Sequence, residues 1–197
     1  MLDPAVTIYF VRHGETDWNA AQRYQGQRDI HLNATGRAQA RRNGVVLSEL
    51  LGNEAASFDY VASPLQRAWE TMEIMRRELS LPADGYRTDD RLAEMHYGHW
   101  EGHLLLDLPA IDPHGFAARS ADVWNWQPTD GESYRMLSDR VARWLGEIRH
   151  DTIVASHGGV SRVLRGLILQ LPFADIPLLE VPQDKVLVLS AGSARWL

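Results

Sequence analysis

Val6-Thr7-Ile8-Tyr9-Phe10-Val11-Arg12-His13-Gly14-Glu15-Thr16 decides how this chain is read, because an apolar run ends abruptly in an arginine, a histidine and a glycine. Residues 6–11 have the β-branched and aromatic content of a buried strand. The motif therefore sits at a strand's carboxyl end, the edge at which open α/β sheets bind ligands. Gly14 lets backbone and ligand come close to the His13 ring. Arginine and histidine together at such an edge point to a phosphate site.

The same arrangement recurs near the other end of the chain. Residues 152–155 read as a buried strand that ends in Ser156-His157-Gly158-Gly159, and a helix pattern follows over 160–170. Between the two motifs, a polar loop over 17–34 leads to a helix over 35–51, capped by Asn33 or Thr35. A short strand at 58–62 precedes Ser63-Pro64, which opens a helix to about 79 with proline near its favoured first position. A strand over 86–91 and a helix over 132–149 come next, the latter with Leu137, Val141, Trp144, Leu145 and Ile148 on one stripe. Residues 185–190 read as the last strand. Pro109, Pro113, Gly115 and Pro128 break residues 103–130 into loops and short helices. This alternation predicts a single three-layer α/β/α domain over residues 1–197, with a mostly parallel central sheet and 103–130 as an irregular cap.

Composition narrows the function. At 197 residues, 45% hydrophobic and 23% charged, the chain has enough material for one substantial core. Twenty basic against 26 acidic side chains give a net charge of −6, with no basic stripe interleaved with aromatics, which disfavours nucleic acid as a partner. An anionic substrate then requires a local cationic pocket. The absence of cysteine excludes disulfides, thiolate catalysis and cysteine-ligated zinc. Met1-Leu2-Asp3-Pro4 lacks a signal-like n-region, and no run reaches about 18 apolar residues, so a soluble cytoplasmic protein without a membrane partner is expected. The oligomeric state stays open.

A phosphoryl-transfer site without metal or thiol needs a nucleophile, cationic donors for the phosphoryl oxygens and an acid for the leaving oxygen. His13 can be the nucleophile, since a neutral imidazole nitrogen is available near pH 7. Arg12 and Arg67 can clamp oxygens, and His157 can donate a further hydrogen bond. Glu94 can be the acid, with Glu101 as a nearby competitor. His96, His99 and His103 lie on a loop without a paired ligand cluster, and no metal site is expected from them.

These residues carry a resemblance. Arg12-His13-Gly14-Glu15-Thr16 with Trp18-Asn19, then Gly26 with Asp29, Leu32 and Gly36, resemble successive blocks of the histidine phosphatase superfamily, the phosphoglycerate-mutase-like fold. Ser63-Pro64-Leu65-Gln66-Arg67-Ala68 with Thr71, the Glu94 block, Gly131-Glu132-Ser133 and Ser156-His157-Gly158-Gly159 follow in family order. The resemblance implies His13 as the phosphorylated residue, Arg12, Arg67 and His157 as the phosphate pocket, Asn19 as a further phosphate contact and Glu94 as proton donor. Gly26, Tyr97 and Gly158, within the matched blocks, are expected to line the substrate. No metal or organic cofactor is implied.

Within that family the mutases resemble Glu-Arg-His-Tyr-Gly at the acid and carry a lysine several residues on, where this chain has Met95 and Leu105. His96, Tyr97 and Gly98 match the mutases, whereas Trp100-Glu101-Gly102 is similar to the short phosphatase branch. The expected activity is hydrolysis of a small phosphate ester. Phosphoglycerate mutation and noncatalytic phospholigand binding are the alternatives. Trp124 and Trp126 have two readings, cap-packing hydrophobes or an aromatic wall beside a ring-bearing substrate.

Overall fold

A computed structural model describes residues 2–197. The elements run β1 (Ile8–Arg12), α1 (Asp17–Ala20), α2 (Ala34–Leu51), β2 (Asp59–Ala62), α3 (Gln66–Glu78) and β3 (Arg87–Thr88) in the first half. They continue α4 (Leu108–Ile111), α5 (Pro113–Ala121), α6 (Tyr134–Leu145), β4 (Thr152–Ser156), α7 (Gly158–Leu169), β5 (Val186–Ser190) and β6 (Ser193–Trp196). The strands form one sheet in the order β3-β2-β4-β1-β5-β6. The first four in that order are mutually parallel, and β5 and β6 are added antiparallel.

Alternation along β1 divides the core between the two faces of the sheet. Ile8 and Phe10 pack with Val154, Leu187 and the stripe Leu137, Val141 and Trp144 of α6, together with Val160 and Leu164 of α7. Val11 points the other way, among Ile153, Ala155 and the buried side of α2 and α3, including Leu47, Met72 and Met75. Strands buried on both faces need such apolar runs, and helices on both faces make three layers. Each fully covered aliphatic side chain contributes about 1.5–3 kcal/mol relative to exposure.

Local chemistry explains where the elements differ from the sequence expectation. Asn33 caps α2, its side chain accepting from the Gly36 amide at 2.8 Å. Helix α3 starts at Gln66, past Pro64, because the cap comes from far along the chain: Asp29 accepts from the Gln66 amide at 2.7 Å. The expected strand at 86–91 shrinks to two residues, since Asp89 accepts from the Arg91 amide and starts a 3₁₀ turn over Asp90–Leu92. Residues 103–130 hold α4 and α5 among turns, as expected, and α1 lies inside the expected loop over 17–34. Strand β6 was not expected; it is a short exposed edge strand with a weak apolar signal.

Register brings the two histidine motifs together. β1 and β4 are parallel neighbours, with Ile8 opposite Thr152 and Arg12 opposite Ser156. Their carboxyl ends therefore coincide, and the His13 amide donates to the Ser156 carbonyl at 2.8 Å. The chain leaving β1 goes to α2 on one face, and the chain leaving β4 goes to α7 on the other. A crevice opens at such a divergence.

A second feature lies behind this edge. Residues 179–184 form a strap before β5, and their carbonyls accept from side chains of three elements. Arg162 donates to Leu179 at 2.7 Å, Arg165 to Glu180 at 2.6 Å, Arg12 to Val181 at 2.8 Å and Asn43 to Gln183 at 3.1 Å. Arg42 adds a bond to the Asp184 carbonyl.

Candidate active site

The crevice holds a cleft of about 130 Å³ that gathers Arg12, His13, Asn19, Gly26, Arg67, Glu94, Tyr97 and Gly158 from six segments of the chain. A larger cavity of about 630 Å³, lined by Leu2, Asp3, Arg149 and Ile168 among others, holds no comparable set of converging titratable groups.

His13 is 3% exposed. Its Nδ1 lies 2.7 Å from the Gly14 carbonyl, which can only accept, so Nδ1 carries the proton and Nε2 the lone pair. Burial, reinforced by the Arg67 and Arg12 guanidiniums, holds the ring well below the usual histidine range. The imidazole is therefore neutral at neutral pH, with a free electron pair where a nucleophile needs one.

Arg67, from the first turn of α3, is completely buried and has no carboxylate within ion-pair distance among the described residues. Its guanidinium is held by carbonyls, NH2 donating to Gly26 and NH1 to Arg28, both at 2.7 Å, while Nε donates to His13 Nε2 at 3.2 Å. Burial lowers its pKa to about 10, which still leaves it charged. Gly26 sits at φ +53°, a conformation glycine tolerates, and a Cβ there would strike Glu101 Oε1. Arg12 ends β1; its Nε is buried without any acceptor. Burial lowers its pKa too. A buried donor lacking a partner is costly unless a ligand supplies the acceptor.

His157 is the N-cap of α7 and 0% exposed, with its ring centroid 5.1 Å from that of His13. Its Nε2 lies 2.7 Å from Ser63 Oγ, which already accepts from the Leu65 amide. The buried Ser63 hydroxyl satisfies its own proton by donating to Nε2, so Nδ1 bears a proton with no acceptor. Burial, then Arg67 and His13, holds this ring well below its ordinary value.

Glu94 reaches the start of α7 from the turn after the 3₁₀ segment, accepting from the Met95 amide at 2.8 Å and from the Gly159 amide at 3.2 Å. Its competitor Glu101 is engaged elsewhere: its side chain is 4% exposed, and Oε1 accepts from the Gln27 amide at 2.9 Å and the Tyr97 amide at 3.1 Å. Glu101 thus fixes the Gly26 loop against Tyr97 and does not line the cleft. Asn19 Oδ1 accepts from the Thr16 amide and from Gln183 Nε2, both at 3.2 Å, which leaves its NH₂ to the cleft side. Tyr97 packs at a tilt against Tyr24 with centroids 4.5 Å apart, and burial raises its pKa well above the ordinary value.

The structure adds cleft residues that sequence reasoning missed: Arg23, Tyr24, Gln25 and Arg162. Arg162 stands four residues after Gly158 on α7, a spacing that places both on one side of the helix. That spacing was the available signal. Burial acts to lower its pKa, but Tyr134, Tyr97 and Glu94 outweigh it and hold the guanidinium above its usual value.

Other candidates lie outside the cleft. Trp124 stacks on Phe173 at 4.7 Å and Trp126 packs at a tilt against Trp100 at 4.2 Å, which favours the packing reading of both. His99 Nε2 pairs with Asp112 at 2.9 Å, and His96 Nδ1 accepts from the Gly98 amide at 3.0 Å. Met95 is buried in the core and Leu105 is exposed, so neither position presents a base to the cleft. Among the described residues no group of three metal-ligating side chains is assembled, and no helix is long and apolar enough to cross a membrane.

A family model described as "Histidine phosphatase superfamily (branch 1)" matches residues 8–197. The chain is 32% identical over 202 residues to the glucosyl-3-phosphoglycerate phosphatase of Mycobacterium tuberculosis, covering 96% of this chain and 82% of that protein. It is 46% identical over 163 residues to the uncharacterized phosphatase PhoE of Bacillus subtilis, covering 80% and 74%. Among solved structures, a mycobacterial glucosyl-3-phosphoglycerate phosphatase complexed with VO3 superimposes with a TM-score of 0.78 at 30% identity, covering 98% of this chain and 97% of that one.

Proposed function

The chain belongs to the histidine phosphatase superfamily, and from that membership we propose that it is a metal-independent phosphomonoester hydrolase that works through a phosphohistidine on small phosphorylated metabolites. The observation that carries the mechanism is the state of His13: a neutral ring whose proton is tied to the Gly14 carbonyl and whose Nε2 pair faces guanidiniums lacking carboxylate partners. A dianionic phosphoryl group supplies the missing counter-charge.

In the first step His13 Nε2 attacks phosphorus, the bond to the ester oxygen breaks, and protonated Glu94 delivers its proton to that oxygen. Arg67 Nε exchanges its bond to Nε2 for one to a phosphoryl oxygen, while Arg12 Nε and His157 Nδ1 find the acceptors they lack. Asn19 NH₂ takes a further oxygen, and Gly26, Tyr97 and Gly158 border the ester. In the second step the Glu94 carboxylate takes a proton from water as its oxygen attacks phosphorus. The N–P bond breaks, phosphate departs and His13 regains its pair. Residues 103–130 act as the cap of a single domain. Hydrolysis is preferred to mutation because Met95 and Leu105 supply no cation to retain a phosphorylated product.

His13→Ala tests the reading. Phosphate release from p-nitrophenyl phosphate and phosphoryl labelling of the protein both disappear, and the wild-type label is lost in acid, as a nitrogen-linked phosphate requires. Undiminished hydrolysis by the variant overturns the covalent mechanism, since no cysteine can replace the nucleophile.

A further inference from the structure

We propose that Ser63 is the positioning residue that makes His157 a hydrogen-bond donor to the transferred phosphoryl group, by fixing which of its two ring nitrogens carries the proton. The inference rests on the phosphatase reading above and gives a task to a residue that this reading leaves without one. Ser63 stands just ahead of α3, where a hydroxyl commonly caps a helix. Yet α3 begins at Gln66, and the Gln66 amide is met by Asp29 from a distant loop. The helix therefore does not consume the Ser63 hydroxyl, which accepts only a long bond, 3.3 Å, from the Leu65 amide. Register carries that hydroxyl to His157. Ala62 of β2 lies opposite Ala155 of β4, and the Ser63 amide donates to the Ala155 carbonyl at 3.0 Å, two residues before the histidine. Both side chains are fully buried, with Oγ 2.7 Å from Nε2.

Among the described residues this hydroxyl is the ring's one hydrogen-bond partner, and the cations that act on the ring, Arg67, Arg140 and Arg12, carry donors alone. A ring protonated on Nε2 would aim two donors at Oγ, its own N–H and the Leu65 amide, and strand the hydroxyl proton in a site closed to solvent. A ring protonated on Nδ1 lets the hydroxyl donate to Nε2 while accepting from Leu65, which satisfies both groups. Nδ1–H is then the ring's single unpaired group, and the next residue, Gly158, lines the cleft. The contrast with His13 shows what the serine decides. His13 also carries its proton on Nδ1, but that proton is tied to the Gly14 carbonyl and the Nε2 pair is left for phosphorus. At His157 the Nε2 pair is tied to a hydroxyl and the proton is left for an oxygen. Two neutral rings with centroids 5.1 Å apart thus divide the work, nucleophile and donor, because one is held by an acceptor and the other by a donor. The opposite tautomer of His157 would turn a lone pair toward an anion.

Nitrogen NMR of the histidine-labelled protein in phosphate-free buffer reads the tautomer directly, with the His157 signals identified among the eight histidines by their loss in His157→Ala. The wild-type ring should carry its proton on Nδ1. In Ser63→Ala, where no partner distinguishes the two nitrogens, the Nε2–H form should appear, and Ser63→Thr, which keeps a hydroxyl, should retain the wild-type form. In Ser63→Ala, kcat/KM for p-nitrophenyl phosphate and the affinity for vanadate should fall together by about 5-fold to 30-fold. That is less than the roughly 10²–10³ expected when His157→Ala removes the whole donor. In the His157→Ala background, Ser63→Ala should cost little further, since the serine acts through the ring. A wild-type ring protonated on Nε2 overturns the inference, and so does an undiminished loss in that background. Should Ser63→Ala fail to fold, the wild-type spectrum still decides. Failure of the wild type to release phosphate from p-nitrophenyl phosphate would instead overturn the phosphatase reading, on which the tautomer, measured without substrate, does not depend.

Discussion

Acid should destabilise this fold well above the pH at which carboxylates titrate, and the cause should be two histidines. His13 and His157 are 3% and 0% exposed, and burial beside Arg67 holds both rings well below their ordinary pKa. In the unfolded chain each imidazole titrates near about 6.5. Above that value both states carry neutral rings, and the histidines make no difference to stability. Below it, the unfolded chain takes up protons that the native site refuses, so stability falls as pH falls toward the native pKa. From pH 7.5 to 5.5 a ring that stays neutral in the native state contributes a loss of about 1.4 kcal/mol, about 2.7 kcal/mol for the pair. For a chain of this size that corresponds to a fall in Tm of roughly 5–10 °C. Urea unfolding in phosphate-free buffers across this range measures it, since bound phosphate would stabilise the native state independently. The His157→Asn variant should lose about half of the pH dependence whatever its absolute stability. A curve flat to within about 0.5 kcal/mol, or a variant retaining the full slope, would refute the assignment of neutral buried rings.

Three further outcomes follow from the site. Glu94→Gln should slow phosphoenzyme formation from an alkyl phosphate by about 10²–10⁴ and from p-nitrophenyl phosphate far less, because nitrophenolate leaves without a proton; single-turnover measurement separates this step from dephosphorylation. Chelators should leave hydrolysis intact, since the positive charge comes from fixed side chains, and restoration of a chelator-inhibited enzyme by one divalent ion would refute that. Gly26→Ala should cost about 1–2 kcal/mol in thermal or urea denaturation, because its φ of +53° disfavours a side chain, and should weaken vanadate binding by displacing the carbonyl that orients Arg67.

What the sequence made legible was whatever a short stretch encodes by itself. Strand, arginine, histidine and glycine are contiguous at residues 8–14, and strand, histidine and glycines at 152–159, so both ends of the crevice could be read without tertiary knowledge. Arg67 was visible through its place after Ser63-Pro64. The start of α3 was not, because its capping carboxylate, Asp29, comes from a distant loop. The sequence already favoured Glu94 over Glu101, two acids beside the same turn, but the commitment of Glu101 to the loop shows only in its contacts with Gln27 and Tyr97. Arg162 escaped although its four-residue spacing from Gly158 on α7 was a signal, and Arg23 escaped because it reaches the cleft rim on a loop whose path no local pattern carries. β6 escaped because an exposed edge strand has little apolar periodicity to report.

The strap over residues 179–184 bears on how this enzyme can change over time. Its bonds to Arg12, Arg162, Arg165, Arg42 and Asn43 all end on main-chain carbonyls, a group that every amino acid possesses. Side-chain identity at Leu179, Glu180 or Asp184 is therefore free to drift without moving the guanidiniums. Spacing is not free. Removing or inserting one residue shifts every downstream carbonyl by a position, and the arginines at the cleft would lose their anchors while remaining intact themselves. Gln183 apart, whose side chain donates to Asn19 and to the His13 carbonyl, the segment thus works as a ruler, tolerant of spelling and intolerant of length, and a one-residue deletion there should impair turnover more than replacing Leu179, Glu180 and Asp184 with alanine.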